Sequence, residues 1–181
     1  MRRNVLAVGA LVLLCWLLNA PSTPAQFGGQ AASPPAKADC KFPDGKTVHI
    51  DYSSPRMRGR KIFGSLVPYG EPWRTGANQA TSFVLGVDVN VGGKPVPAGS
   101  YTLFTLPTQN AWTLIVSKQT DEWGIPYPGE QYDFTRAPMK VSKLSSPVED
   151  FTISFNPSDG VCTMHLDWET TRASVDISEK K

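Results

Sequence analysis

The segment Trp73–Asn78 carries residue types that are well suited to holding a small polar ligand. Arg74 stands between a tryptophan and a threonine, and Asn78 ends the segment. An arginine donates paired hydrogen bonds to a carboxylate, a phosphate or a sugar edge, while Thr75 and Asn78 offer adaptable hydrogen bonds. Gly76 lets a ligand approach the backbone closely. The same residues also suit a loop held by its own side chains, so the segment predicts either an ordered structural loop or a ligand site.

Two further groups of residues could contribute to such a site. If the chain is extended around Arg56 and Arg60, both guanidinium groups lie on one side, which predicts a solvated edge strand or the rim of an anion site. The second group runs from Trp123 to Asp133 and mixes aromatic residues, including Tyr127, with carboxylates. Such a mixture is typical of carbohydrate-binding loops or of a loop packed over one end of the fold. Paired acids also occur in glycosidases, but no other residue supports that geometry.

The chain has only two histidines, and each stands two residues before an aspartate, in His49-Ile50-Asp51 and in His165-Leu166-Asp167. If adjacent strands brought them together, two imidazoles and two carboxylates could hold a metal ion. We favour no metal, because each pair can instead form a His–Asp contact on a solvated strand face. We expect no cofactor, since the commonest nucleotide-binding and hydrolase motifs are absent from the sequence.

Apolar and polar residues alternate along most of the remaining chain, and glycine and proline interrupt the alternation at short intervals. This pattern, without a long helical period, predicts an antiparallel β-sandwich of about eight or nine strands, jelly-roll or immunoglobulin-like. Gly92-Gly93 predicts a hairpin turn, and Lys61–Leu66 a short helical turn. Residues 53–80 and 120–138 break the alternation and are expected to be ordered loops. Strands are predicted at residues 48–52, 83–91, 100–106, 112–117, 139–144, 151–155, 161–168 and 173–177.

Residues 1–25 have the pattern of a secretory signal peptide. Two arginines precede an uncharged run from Val5 to Leu18, and small residues follow it. The run is about 14 residues long, shorter than the roughly 20 that span a bilayer, although an uncleaved membrane anchor is the alternative. We therefore expect an exported protein, periplasmic or extracellular, with no transmembrane segment in the mature chain.

Residues 26–38 are predicted to be a flexible linker, because their Gly, Ala, Pro and Gln cannot bury a core. The folded domain is expected to span residues 39–181. Without the two arginines of the signal peptide, 16 basic residues balance 16 acidic ones. Such a chain offers no electrostatic surface for nucleic acid. Cys40 and Cys162 remain, and in an oxidising compartment they are expected to form a disulfide rather than stay as buried thiols.

Five segments occur in the order DYSSPRMRGRKIFGSLVPYGEPWRTGANQATSF, VPAGSYTLFTLP, WTLIVSK, EWGIPYPGEQYD and DWETTRASV. Together they resemble an exported bacterial family known as domain of unknown function 2911. The resemblance extends from about Cys40 to the C-terminus. It implies a periplasmic or extracellular β-rich domain, and it implies no activity, substrate or catalytic residue.

The sequence thus predicts an exported, disulfide-linked β-sandwich that acts as a binding or interaction module rather than as an enzyme. Its site is expected where the loops Trp73–Asn78 and Trp123–Asp133 meet, with a glycan or a small anion as ligand. One alternative is a hydrolase of an envelope polymer with His49 or His165 as base, and another is a structural envelope protein without a ligand. A binding module needs an aromatic–arginine pocket without histidine, whereas a hydrolase needs a histidine beside an acid in that pocket.

Overall fold

The computed structural model describes residues 32–180, so the predicted signal peptide and residues 26–31 of the predicted linker lie outside the described residues. Within residues 32–180, no helix is both long enough and apolar enough to cross a membrane. One turn of 3₁₀ helix, Glu130–Tyr132, precedes the eighth strand. The strands, numbered in chain order, are β1 (Pro35–Lys41), β2 (Thr47–Ser53), β3 (Thr81–Leu85), β4 (Val89–Val91), β5 (Lys94–Val96), β6 (Gly99–Pro107), β7 (Trp112–Ser117), β8 (Asp133–Ser158) and β9 (Val161–Glu179).

The nine strands form one antiparallel sheet in the order β1-β2-β3-β6-β7-β8-β9-β4-β5, which confirms the predicted all-β class. The sheet is continuous because β8 is long enough to pair along its first part with β7 and along the rest with β9. The pairing of β8 with β9 is irregular between Lys143 and Thr152. Such irregularities bend strands, and the sheet can therefore change direction here.

A disulfide joins Cys40 in β1 to Cys162 in β9, as predicted. In the strand order, β1 is an edge strand and is not a neighbour of β9. The bridge therefore connects two distant parts of the sheet across one shared hydrophobic core. The largest fully buried side chains of that core include Phe83, Leu103, Leu114, Met164, Leu166 and Trp168.

An aromatic cluster attaches the segment between β2 and β3 to this core. The ring of Trp73 stacks on Trp168 at 5.8 Å and meets Phe151 edge-on at 4.9 Å. Phe63 meets Trp112 edge-on at 4.7 Å. Aromatic pairs of these geometries add to the stabilisation from burial alone. The irregular segment is therefore part of the core rather than a detached loop.

The predicted helical turn at Lys61–Leu66 is instead a tight non-helical turn. The N–H of Val67 donates to the carbonyl of Ile62 at 3.0 Å, and Phe63 forms an isolated β-bridge with Val67. Gly64 has a φ of 77°, a conformation that glycine adopts without strain. The turn therefore reverses the chain over a few residues and buries both Ile62 and Phe63.

The boundaries of several strands differ from the predicted ones. β1 begins at Pro35, so residues 35–38, predicted as linker, belong to the sheet. The predicted strand 83–91 is divided into β3 and β4, because Gly86 lies against the backbone of Thr47 and donates to its carbonyl at 2.9 Å. The predicted strands 139–144 and 151–155 are both parts of β8, and 161–168 and 173–177 are both parts of β9.

Candidate functional site

The backbone and polar atoms of Trp73 and Thr75 are used within the fold. Trp73 exchanges two backbone hydrogen bonds with Thr105 of β6, at 2.7 and 2.8 Å, and its indole N–H donates to the carbonyl of Gly76 at 3.1 Å. Thr75 is fully buried, and its hydroxyl contacts the Trp73 carbonyl and the Thr105 hydroxyl, each at 3.3 Å. These contacts give the loop a fixed shape, which is the structural role that its composition also allowed.

Asn78 connects this loop to the strands beside it. Its φ is 59°, a left-handed conformation that asparagine tolerates better than most residues. The side-chain N–H₂ donates to the carbonyl of Ser33 at 3.3 Å and to the hydroxyl of Ser53 at 3.1 Å. Asn78 therefore connects Ser33, two residues before β1, to Ser53 at the end of β2.

Arg56 and Arg60, predicted as a possible rim, are engaged elsewhere. The Nε of Arg56 lies 3.0 Å from a carboxylate oxygen of Asp150 in β8. The guanidinium of Arg60 donates to the carbonyls of Met57 at 3.0 Å and Arg56 at 2.7 Å. Neither arginine lines the pocket between the loops. Both stabilise the turn that follows β2.

Arg74 and Trp123 bring the two predicted loops together. The guanidinium carbon of Arg74 lies 5.1 Å from the centroid of the Trp123 ring, and its Nη1 donates to the Trp123 carbonyl at 3.1 Å. No carboxylate of residues 32–180 lies within ion-pair distance of Arg74, and partial burial lowers the pKa of its guanidinium. The site therefore contains a partly desolvated cation without an anionic partner among these residues.

A glycine lets the second loop approach Arg74 this closely. Gly124 has a φ of 77°, and a Cβ atom at this position would lie only 2.9 Å from the Cβ atoms of both Arg74 and Ala80. The N–H of Ala80 also donates to the carbonyl of Glu122 at 3.1 Å. Only a residue without a side chain fits here, so the contact between the loops depends on Gly124.

The two loops and the turn before them enclose a cavity of about 370 Å³, which we call the loop pocket. This volume is in the range of small-molecule sites. Its walls are mostly apolar, and two of the apolar side chains, Leu66 and Ile125, are 43% and 64% exposed. The lining contains no histidine, and its charged residues are Arg74 and Glu71. The complete lining consists of Leu66, Val67, Pro68, Glu71, Pro72, Trp73, Arg74, Gly124, Ile125, Pro126 and Tyr127.

Tyr127 forms a rigid wall of the loop pocket. Its ring packs edge-on against Phe104 at 5.0 Å. Its hydroxyl donates to a carboxylate oxygen of Asp133, and Arg136 donates to the same carboxylate at 2.6 Å. Burial, followed by the hydrogen bond to Asp133, raises the pKa of Tyr127 to about 12. The hydroxyl therefore stays protonated and occupied at neutral pH.

His49 lies on a solvated strand face between two carboxylates. Its Nδ1 is 2.5 Å from Asp39 on β1, and its Nε2 is 2.8 Å from Asp51 on β2. The hydrogen bonds to Asp39 and then Asp51 raise the pKa of His49, because both carboxylates favour the protonated ring. The predicted contact between His49 and Asp51 is thus present, with Asp39 as a further partner.

His165 and Asp167 do not contact each other by hydrogen bonding, although they share one strand face. The Nδ1 of His165 lies 2.8 Å from the hydroxyl of Ser174, while Arg172 donates two hydrogen bonds to the carboxylate of Asp167, at 2.7 and 2.6 Å. Burial and the charge of Arg172 lower the pKa of His165. In the part of the chain that the structure describes, no group of three or more His, Cys, Asp or Glu side chains is arranged to hold a metal ion.

Several residues that shape these sites carry no distinct signal in the sequence. Leu66 and Ile125 resemble ordinary apolar residues of proline-rich loops, so only the structure shows that both are exposed at one pocket. Ser174 is one of many serines, and its approach to His165 depends on the path of β9. The presence of a glycine, Gly124, between aromatic and proline residues is the one signal that could have indicated a close contact.

The fold and the pocket define a class of disulfide-linked, all-β domain with a small pocket between two ordered loops. The chain belongs to the family described as protein of unknown function (DUF2911), which matches residues 33–177. This confirms the resemblance found in the sequence. Neither a curated protein nor a solved structure gives a significant match to the chain.

Proposed function

We propose that the protein is a binding module whose site is the loop pocket and whose ligand is a small anion with an apolar part. The observation that supports this proposal is Arg74, a partly buried cation at a mostly apolar pocket without an ion-pair partner among residues 32–180. Removing a charge from water costs free energy unless an opposite charge compensates it. A ligand carboxylate or phosphate would supply that charge and accept paired hydrogen bonds from the guanidinium.

The walls of the loop pocket favour a ligand with an apolar body. Leu66 and Ile125 line the pocket and are exposed, so covering them would remove apolar surface from water. Glu71 also lines the pocket but is exposed and therefore remains hydrated. A free glycan fits less well, because the Trp123 ring already carries the Arg74 guanidinium on one face and the pocket walls hold few hydroxyl groups.

Hydrolysis is less well supported than binding. No histidine lines the loop pocket, and His165 lies instead on the face of β9 beside Ser174. A serine–histidine pair needs a third group to orient the imidazole. The nearest acid along the strand, Asp167, is held by Arg172 through two hydrogen bonds, so it does not serve that role.

We also propose that the protein is exported. The disulfide between Cys40 and Cys162 supports an oxidising compartment, where such bridges persist. The charged and apolar pattern of residues 1–25 supports secretion through a cleaved signal peptide. A fusion of residues 1–38 to a reporter that is active only after export tests this proposal.

Titration calorimetry with hexanoate and hexan-1-ol tests the site, because the two probes share an apolar chain and differ in charge. Hexanoate should bind the wild-type protein at least tenfold more tightly than hexan-1-ol. Arg74→Met keeps an unbranched side chain without charge and should abolish this preference. Arg74→Lys keeps the charge but loses the planar donor pair, so it should weaken hexanoate binding by about tenfold.

Arg60→Lys is the matched control, since Arg60 is an arginine that lies outside the loop pocket. It should leave hexanoate binding unchanged. Thermal melts of all variants separate binding from folding, and Arg74→Lys should cost only about 1 kcal/mol because one hydrogen bond to the Trp123 carbonyl is at stake. Equal binding of the two probes, or hexanoate binding that survives in Arg74→Met, would show that this pocket is not an anion site.

A further inference from the structure

The face of β8 and β9 that points away from the core carries a second concave region. This groove has a volume of about 610 Å³, and Gly92 and Gly93, in the turn between β4 and β5, belong to its lining. Its polar lining residues come from both long strands and include Lys140, Ser142, His165, Arg172 and Ser174. None of them belongs to the loop pocket.

The groove exists because β9 bends. Glu169 has a φ of 53°, and the register of β8 against β9 shifts opposite this point. Residues far apart along β9 meet across the bend in three pairs: Thr163 with Asp176, His165 with Ser174, and Asp167 with Arg172. The side chains of one strand therefore face each other over the groove, and their spacing is set by hydrogen bonds.

The neighbouring strand adds a cation and a hydroxyl to the middle of this arrangement. Lys140 lies opposite Ser174 in the register of β8 and β9, and Ser142 lies opposite Arg172. Lys140 has no ion-pair partner among residues 32–180, and its side chain lines the groove. Lys140, Arg172, Ser142 and Ser174 thus supply ammonium, guanidinium and hydroxyl donors in two register pairs, one on each side of the pair Val141–Ala173.

Two acids lie near these donors, Asp176 in the groove lining and Asp167 outside it, and both accept hydrogen bonds. Arg172 neutralises Asp167 through two hydrogen bonds, and Arg172 is still 37% exposed. Asp176 accepts a hydrogen bond from Thr163 at 2.7 Å, in the pair furthest from the bend. The region between Lys140 and Arg172 is therefore the part of the groove with an excess of donors.

We propose that this groove binds a phosphate group carried by a small hydroxylated molecule. Phosphate oxygens accept several charge-assisted hydrogen bonds at once, which matches an ammonium, a guanidinium and hydroxyls in one place. The groove is much larger than phosphate alone needs, and the hydrogen-bonded pair of Thr163 and Asp176 extends its polar lining beyond these donors. The proposal concerns residues outside the loop pocket, so it does not depend on the proposed function.

The two histidines of the chain allow a direct test by NMR. Bound phosphate beside His165 favours its protonated ring, so glucose 6-phosphate should raise the pKa of His165 by about one pH unit at saturation. This shift corresponds to about tenfold tighter binding of glucose 6-phosphate to the protein with a protonated His165 than to the protein with a neutral one. His49, on the opposite part of the sheet between Asp39 and Asp51, is the internal control and should not change. Inorganic phosphate should act in the same direction at higher concentration, and glucose should have no effect.

Matched lysine variants connect the effect to the groove. Lys140→Ala should weaken glucose 6-phosphate binding at least tenfold, whereas Lys143→Ala, an exposed lysine of the same strand outside the groove lining, should not. Ser142→Ala provides a second groove variant if Lys140→Ala unfolds. The proposal is overturned if His165 does not respond, if both histidines respond equally, if glucose acts like its phosphate, or if the groove variants bind normally. A response to inorganic phosphate with none to the ester would overturn the hydroxylated carrier.

Discussion

Replacing both Cys40 and Cys162 with alanine should lower the free energy of unfolding by about 4–5 kcal/mol. The bridge closes a loop with a sequence separation of 122 residues. In the chain-entropy relation, a cross-link of this span removes about 16 cal/mol/K from the unfolded chain, which is about 5 kcal/mol at 25 °C. Compact unfolded states reduce this value, so the lower end of the range is the better expectation. The loss is large because the cross-link spans most of the folded chain.

Urea unfolding followed by tryptophan fluorescence measures this effect, because Trp112 and Trp168 are buried in the core. The oxidised wild type, the wild type with reductant and the double alanine variant should be compared. The reduced wild type and the variant should unfold at similar urea concentrations, both well below the oxidised protein. A loss below about 1 kcal/mol would refute the entropic reasoning, and two alkylatable thiols in protein recovered without reductant would refute the bridge itself.

Three further predictions follow from the burial and charge of particular residues. In a proton NMR titration, His49 should titrate above about pH 6.5 and His165 below it. Protonated His49 therefore stabilises the fold below that pH and loses this effect as pH rises, whereas protonation of His165 costs stability as pH falls. Reversed midpoints would contradict the partners assigned to the two rings. A chain that begins at Asp39 should have a free energy of unfolding at least about 1 kcal/mol lower than a chain that begins at residue 32, because it lacks the first half of β1. Equal urea midpoints of the two chains would show that residues 35–38 do not stabilise the fold. Glu122→Gln should raise the free energy of unfolding by about 1 kcal/mol at pH 7 and by less at pH 4. The reason is that one buried oxygen of Glu122 has no hydrogen-bond partner among residues 32–180 and that burial raises the pKa of this carboxyl. A gain of equal size at the two pH values would rule out a charge effect.

The fold class could be predicted because period-two alternation directly reflects which strand face is buried. The start of β1 could not be predicted, since Ala36 and Ala38 join the sheet through pairing with β2 rather than through a strong strand propensity of their own. The continuity of β8 could not be predicted either, because the irregular pairing between Lys143 and Thr152 interrupts the alternation along the strand. Long-range pairing thus decides the features that local patterns miss.

That the two loops are ordered could be predicted from their aromatic residues, which are costly to keep exposed in unordered segments. The position of Arg56, expected at the rim of the site, could not be predicted, because its partner Asp150 lies on a strand far along the chain. The groove was equally hidden, since His165 and Ser174 meet only if β9 bends at Glu169. A bend of this kind depends on the packing of the whole sheet.

Anion binding at the loop pocket is measured most directly by the position of bound hexanoate, obtained from intermolecular NOEs with labelled protein. The hexanoate methylene groups should contact the side chains of Leu66 and Ile125. The Arg74 guanidinium should show a chemical-shift change that is absent when hexan-1-ol replaces hexanoate. Contacts confined to the face of β8 and β9, or contacts at the loop pocket that hexan-1-ol reproduces fully, would show that the loop pocket is not an anion site.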